Sequence, residues 1–145
     1  MMDNNKERYI EFIRQHPVPL FFQPWWLDMT GKNWQVAIAE SDHKIQAAWL
    51  YTVEKKVGLT IIRNPLLTPY LGPLFFHPES LSEKKQQQAE EKLFSQLLRQ
   101  LPQWDFLDVR CVPGFNHFFL FHQNQIVHSQ RITYHINLEQ KEDAL

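Results

Sequence analysis

The feature that most restricts how this chain can fold is a proline-rich stretch near its middle, Asn64–Leu74, with the sequence NPLLTPYLGPL. Three prolines and one glycine interrupt an otherwise apolar run, and proline lacks the backbone N–H that helix interiors and central strands need. Each proline also favours extended geometry in the residue before it, while Gly72 can adopt a left-handed backbone. The stretch is therefore predicted to be an ordered, buried or half-buried loop.

The length of the chain predicts a single hydrophobic core. Its 145 residues match one ordinary domain, and five tryptophans and eleven phenylalanines supply enough large side chains to fill that core. So many aromatic rings in a short chain also suggest that some of them line a pocket. We therefore predict one domain over residues 1–145.

The charge balance argues against two classes of partner. Fifteen basic and sixteen acidic residues give a formal net charge of −1, which offers no overall attraction to nucleic acid or to an anionic membrane. There is one cysteine, Cys111, the chain starts without a secretory signal, and no apolar run approaches the ~20 residues that span a bilayer. We expect a cytoplasmic protein without disulfides, without nucleic-acid binding by this segment and without membrane insertion.

The first half of the chain predicts two helices followed by an antiparallel meander. Apolar residues at helical spacing predict a helix over Asn4–Gln15. Pro24–Gly31 has proline and glycine where a second, shorter helix would begin and end. Three alternating segments separated by turn residues predict strands: Trp34–Glu40, Ile45–Glu54 and Leu59–Arg63.

The second half predicts a helix, a crossover and a final strand. A capping-box pattern at Ser80–Glu83 and leucines at intervals of three and four predict a helix over about Leu81–Leu101. Trp104–Arg110 alternates as a strand after this helix, which implies a β-α-β crossover and a mixed sheet. Arg131–Leu138 alternates as a last strand. Leu138–Leu145 resembles the first turns of a further helix, so we expect a truncated chain.

No sequence motif assigns a catalytic mechanism. The histidines have irregular spacing without a zinc signature, and the four glycines are too far apart for a phosphate-binding loop. Cys111 could act as a nucleophile, but a buried, inert thiol at the end of a strand is the simpler interpretation. Asp105 and Asp108 should face opposite sides of their strand, so we do not expect them to form a catalytic pair.

An aromatic surface around the proline-rich stretch is the remaining candidate for a binding site. Aromatic side chains with polar atoms suit a pocket for an extended organic substrate, although the same residues could simply form the core. The residues concerned are Trp25, Trp26, Trp49, Tyr51, Tyr70, Phe75 and Phe76. From this region we select four candidate substrate-binding residues: Trp25, Trp26, Thr68 and Tyr70.

Several short segments together carry a family resemblance. They are Pro24–Asp28, Trp34 at the start of a strand, Ala47–Tyr51 before the basic turn Lys55–Lys56, Pro65–Pro73 and Arg131–Leu138. In this order they resemble the N-terminal half of the FemA/FemB-like proteins of the GNAT acyltransferase superfamily, over nearly the whole chain. The resemblance implies an α+β, GNAT-like fold with a mixed, largely antiparallel sheet flanked by helices. It also implies that residues 1–145 are half of a longer two-domain protein.

The resemblance implies a chemistry as well as a fold. Peptidoglycan-bridge members of that family transfer an amino acid from aminoacyl-tRNA to a cell-wall-precursor peptide, and other relatives transfer acyl groups from coenzyme A. In both reactions an amine attacks a carbonyl, and the protein chiefly positions the two reactants. The implied partners are the C-terminal half of the same chain and a small-molecule or cell-wall-precursor substrate.

The sequence departs from that family at the cofactor signature. Active GNAT domains carry Arg/Gln-x-x-Gly-x-Gly/Ala, whose backbone N–H groups bind a pyrophosphate, and no such pattern occurs here. Glu83 stands instead at the start of the long helix, where its carboxylate would repel a pyrophosphate. We therefore expect no cofactor in this segment and no activity from it alone, with acyl-CoA or aminoacyl-tRNA left to the full-length protein. A non-catalytic binding or scaffolding domain is the alternative, and the catalytic residues are unknown.

Overall fold

One long strand organises the first of the two units into which the chain divides, Met1–Val112 and Pro113–Leu145. The computed structural model describes residues 2–76, 82–132, 134, 136 and 137. In the first unit the helices are α1 (Met2–Ile13), α2 (Pro24–Thr30) and α3 (Glu83–Gln100). The strands are β1 (Gln35–Ser41), β2 (Lys44–Lys56), β3 (Leu59–Arg63), β4 (Gly72–Phe75) and β5 (Phe106–Asp108).

These strands form one mixed sheet that is mostly antiparallel. The long strand β2 pairs antiparallel with β1, β3 and β4, and β5 pairs parallel with β3. Helix α3 lies in sequence between β4 and β5, so the predicted β-α-β crossover is confirmed. The predicted fold class is confirmed at this level: an α+β arrangement with a largely antiparallel sheet and flanking helices.

The helices cover both faces of the sheet because successive residues of a strand point to opposite sides. On one face, Val36 and Leu50 belong to a buried cluster that includes Tyr9 of α1 and Leu27 of α2. On the other face, the Trp49 ring stacks on Phe94 of α3, with ring centroids 5.7 Å apart. Trp49 and Tyr51, two members of the predicted aromatic surface, are therefore core residues, at 0% and 3% exposure.

The predicted loop is shorter than expected, because its last residues form β4. Pro73 lies inside this strand, opposite Trp49 of β2. The Phe76 N–H donates to the Gln46 carbonyl at 2.7 Å, and hydrogen-bonded pairs alternate with non-hydrogen-bonded pairs along an antiparallel ladder. Pro73 and Trp49 consequently form a non-hydrogen-bonded pair. The missing N–H of Pro73 costs no ladder bond there, so the prediction that proline excludes a strand was wrong at this position.

Strands β3 and β4 act as one strand that is interrupted by a loop. On β2, Thr52 pairs with Arg63 of β3, and Leu50 pairs with Gly72 of β4. The two paired positions are two residues apart on β2, but their partners Arg63 and Gly72 are nine residues apart in sequence. Leu71 forms a parallel bridge with Cys111, just after β5, which places β3 and β4 in line between β2 and β5. The chain leaves the sheet after β3, makes an excursion and returns to the same ladder. We call this excursion, Asn64–Leu71, the proline loop.

The outer edge of β1 is covered by side-chain amides of α3 instead of another strand. Gln100 donates its Nε2–H to the Ile38 carbonyl at 2.6 Å and accepts the Ile38 N–H at 3.0 Å. One helical turn earlier, Gln96 makes the same pair of bonds with Glu40, both at 3.1 Å. A strand edge with free N–H and C=O groups attracts further strands. The two glutamines satisfy these groups within the chain.

In the described part of the second unit the chain forms one short helix, α4 (Phe118–Gln123). Its Phe121 ring lies 5.6 Å from the Phe115 ring, and the Ile126 N–H donates to the Phe121 carbonyl at 2.8 Å. These contacts make a small aromatic cluster within this unit.

The predicted last strand, Arg131–Leu138, is wrong for the residues that the structure describes. Residues 131, 132, 134, 136 and 137 have no regular secondary structure, and Ile132, Tyr134 and Ile136 are 84–89% exposed. Alternation creates a strand only where a second strand accepts its hydrogen bonds, and no such pairing is present among these residues. Ser80 and Leu81 of the predicted capping box, and the predicted helix Leu138–Leu145, lie outside the described residues.

Replacing Gln100 by methionine is expected to destabilise the protein by about 1–3 kcal/mol. Methionine nearly keeps the shape of the side chain, but the N–H and C=O of Ile38 lose their hydrogen bonds to Gln100. These groups remain partly shielded from water by α3. Urea unfolding followed by circular dichroism measures the change in the free energy of unfolding. Gln88→Met is the matched control, because Gln88 is exposed on the same helix; equal effects of the two substitutions would contradict the role assigned to the amide.

Candidate functional site

The proline loop is fixed to the rest of the unit at both ends. At its start, Pro65 is buried against Gly31, where a Cβ atom would lie 2.9 Å from Pro65 Cγ. At its end, the Leu71 N–H donates to the Arg110 carbonyl at 2.7 Å. The Asn64 side chain donates to the same carbonyl at 3.3 Å. The ordered loop that the sequence predicts is thus held between the end of α2 and the segment after β5.

The four candidate substrate-binding residues lie close together. The Trp26 Nε1–H donates to Thr68 Oγ1 at 3.1 Å. The Trp26 ring contacts the Trp25 ring edge-on at 6.0 Å, and Phe21 lies between Trp26 and Tyr70, with centroid distances of 5.2 and 4.8 Å. Phe21 was not selected from the sequence, since nothing in its spacing separates it from the neighbouring core residue.

These residues have different degrees of access to solvent. Trp25 is 53% exposed, whereas Thr68 is 6% exposed, and Trp26 and Tyr70 are half-buried. The Thr68 hydroxyl also donates to the Leu66 carbonyl at 3.1 Å. Thr68 therefore holds the loop in shape from inside, and Trp25 is the most accessible of the four.

An open cleft of about 770 Å³ lies beside this aromatic group. Its walls are the end of α2 and the proline loop, and its remaining residues come from β2, β3 and the segment around β5. Of the four candidates, Thr68 alone lines it. The lining residues are Thr30, Gly31, Lys32, Thr52, Val53, Glu54, Arg63, Asn64, Pro65, Leu66, Leu67, Thr68, Pro69, Asp108 and Arg110.

Strand register brings charged side chains together in the cleft. Arg63 Nη1 lies 2.5 Å from Glu54 Oε2, and Arg63 Nη2 lies 3.4 Å from Asp108 Oδ2. The hydrogen bond and the charge of Glu54, with smaller contributions from Asp108, raise the pKa of Arg63 above its ordinary value. All three side chains are well exposed, so these pairs orient the guanidinium more than they stabilise the fold.

Two further cations in the cleft differ from Arg63. Lys32 and Arg110 are exposed, and among the described residues neither side chain forms an ion pair. The cleft lining thus contains three cations and two carboxylates, and both carboxylates already contact Arg63. The lining favours an anionic group on a bound molecule.

The lining supplies positioning groups more readily than catalytic ones. It contains no histidine or cysteine, and its carboxylates are both ion-paired with Arg63. Within the described residues, no three His, Cys, Asp or Glu side chains come together as a metal site requires. In the same ranges, no helix combines the length and apolar character needed to cross a membrane.

Cys111 lies beside the proline loop, and its thiol is a weaker acid than an ordinary cysteine. Burial raises the pKa of its thiol to about 12. Its Sγ atom is 3.0 Å from the position that a Cβ atom would take on Gly72, whose φ is +77°. A protonated thiol is a poor nucleophile, so the position of Cys111 agrees with a packing role.

Comparisons with protein-family models, with curated proteins and with solved structures find no match to this chain.

Gly72→Val is expected to destabilise the protein by at least ~2 kcal/mol, for two reasons. Valine is strained in the left-handed backbone conformation of this residue, and its side chain would crowd the Cys111 sulfur. Thermal and urea unfolding measure the loss. Gly58→Val is the control: φ is +78° there, but nothing lies within 4 Å of an added Cβ atom. A loss at Gly72 no larger than the loss at Gly58 would show that the contact with Cys111 is unimportant.

Alkaline pH is expected to weaken the fold partly through Cys111. Its folded pKa, about 12, exceeds its ordinary value of 9.0, so the unfolded chain releases the proton first and the stabilisation is lost as pH rises from about 9 to 12. Between pH 8 and 10 the wild type should lose about 1 kcal/mol more than Cys111→Ala. Urea unfolding at both pH values tests this, and parallel losses in the two proteins would contradict it.

Proposed function

We propose that this chain is a GNAT-like domain similar to the N-terminal half of FemA/FemB-like transferases. On this proposal its cleft holds one reactant during amide-bond formation, in which an acyl or aminoacyl group passes to an amine. The observation that carries the proposal is the position of the cleft. It opens between the end of α2 and the proline loop, next to the two segments, Pro24–Asp28 and Pro65–Pro73, that carry much of the resemblance.

The order of the elements supports the same proposal. An antiparallel meander is followed by a helix and a parallel strand, which is the order that the resemblance implies. The proline loop lies at the transition between the meander and the crossover, so its shape decides the shape of the cleft wall.

The charges of the cleft suit binding and orientation of a reactant. Lys32 and Arg110 are available to a carboxylate on that molecule, and Leu66 and Pro69 offer apolar contacts. Arg63 is held in one orientation by Glu54 and Asp108. Such positioning lowers the barrier to amine attack on a carbonyl without a catalytic side chain in this segment. The acyl donor and the proton acceptor then belong to the remainder of the full-length protein.

A non-catalytic binding or scaffolding domain is the second candidate function. The ion pairing of both cleft carboxylates favours it, because neither is available to take a proton from an attacking amine without breaking its contact with Arg63. A scaffold would bind its ligand without discriminating a free amine from a blocked one, whereas an acceptor site would discriminate between them.

A titration with two peptides is expected to separate these functions. The probe is an N-terminally acetylated pentapeptide whose one free amine is a lysine side chain and which keeps a free C-terminal carboxylate. Its partner is the same peptide with the lysine amine acetylated as well. A transferase acceptor site should bind the first more tightly by about tenfold, because its ammonium group can pair with Glu54 or Asp108 in place of Arg63. Arg110→Gln should weaken binding by a similar factor, and Arg99→Gln, on the exposed surface of α3, should not.

Isothermal titration calorimetry gives the affinities. Equal binding of both peptides favours the scaffold, and binding of neither by the wild type overturns the proposed acceptor cleft. In a parallel measurement, acetyl-CoA should not raise the melting temperature, since a ligand stabilises only a protein that binds it. A saturable rise would contradict the assignment of donor binding to another part of the protein.

A further inference from the structure

Leu66 and Leu67 form an exposed apolar tip on the proline loop. Their side chains are 81% and 80% exposed, while the residues on either side of this pair, Pro65 and Thr68, are buried. Burial of a leucine side chain away from water normally stabilises the folded protein. Two adjacent leucines held in solvent between two buried residues form a small apolar patch, which is a candidate contact surface.

Contacts on both sides of this tip define its backbone geometry. Leu67 has a positive φ of 57°, a conformation that a leucine seldom adopts. Pro65 is fixed against Gly31, and Thr68 is fixed by its hydrogen bond from Trp26. Unfavourable backbone geometry persists only where the surrounding structure enforces it, and such sites are often functional. Here the surroundings direct two apolar side chains outward.

The neighbouring helix α2 presents two more exposed apolar side chains. Trp25 is 53% exposed and Met29 is 68% exposed, and their spacing of four residues places them on one side of the helix. The Trp26–Thr68 hydrogen bond ties this helix to the proline loop. Tryptophan is enriched where proteins meet the membrane–water boundary, since its ring is apolar and its N–H is polar.

The charged side chains near this tip indicate which kind of binding partner suits the surface. Lys32, next to α2, and Arg110 line the cleft together with Leu66 and Leu67, and neither cation forms an ion pair among the described residues. The nearby carboxylates Glu54 and Asp108 both contact Arg63. A protruding leucine pair beside unpaired cations matches a bilayer with anionic headgroups, which accepts apolar side chains and attracts lysine and arginine.

We propose that the tip of the proline loop docks this protein peripherally onto an anionic phospholipid surface. Leu66 and Leu67 enter the headgroup layer, Trp25 lies at its boundary, and Lys32 and Arg110 contact lipid phosphates. The net charge of the whole chain, −1, is compatible with this because the attraction is local and falls off within about 10 Å. The docking does not rest on the proposed amide chemistry and does not involve a membrane span, but Leu66, Lys32 and Arg110 take part in both proposals.

Vesicle cosedimentation tests the docking. The full chain is mixed with vesicles of phosphatidylcholine alone or of equimolar phosphatidylcholine and phosphatidylserine, at low and at high salt. We expect binding to the anionic vesicles that weakens with salt. The double variant Leu66→Ser/Leu67→Ser should reduce the partition coefficient by at least about tenfold. Lys32→Gln/Arg110→Gln should reduce it by about tenfold at low salt and less at high salt.

The matched control is Val57→Ser/Val127→Ser, which removes two apolar side chains that are 93% and 97% exposed elsewhere in the chain. It should bind like the wild type. All variants alter exposed positions, so unchanged circular dichroism is expected and is checked first. The proposal is overturned by absence of wild-type binding, by an unchanged partition coefficient of the leucine variant, or by equal loss in the valine variant. It is also overturned if light scattering shows that the leucines instead drive self-association.

Discussion

The backbone hydrogen bonds of β2 are the interaction on which the larger unit depends. This one strand pairs with β1 on one side and with β3 and β4 in succession on the other. Because the two partners on the second side share a ladder, the residues between them must leave the sheet and return within a short distance. The proline loop makes this connection. Its geometry is set by the two positions at which pairing with β2 stops, after β3, and starts again, at β4.

The same constraint creates the cleft. The eight residues of the proline loop cannot lie in the plane of the sheet, so the loop projects beside the end of α2 and forms one wall of the cleft. Register then places Arg63 next to Glu54 and Asp108, which come from three different strands. The apolar tip, the aromatic group around Trp26 and the cations thus occupy one region for a single topological reason. Binding residues on loops that a rigid sheet positions are common in proteins.

Local sequence patterns predicted the elements that depend on local physics. The periodicity of α3, the proline and glycine at the ends of α2, and the alternation of the meander all correspond to observed elements. Strand β4 was missed because tolerance of Pro73 depends on its ladder position, which only the pairing partner defines. The charged cleft was missed for the same reason, since Arg63 and Asp108 are 45 residues apart in sequence. The last predicted strand failed where alternation lacked a partner.

The glutamines of α3 have a consequence for how this sheet can grow. At β1 the amides of Gln96 and Gln100 occupy the positions that another strand would use, so that border is closed to extension without displacing the helix. At this border the described part of the chain caps the backbone groups of Ile38 and Glu40 with its own side chains, so an added strand would have to replace four side-chain hydrogen bonds before it could pair with β1 there.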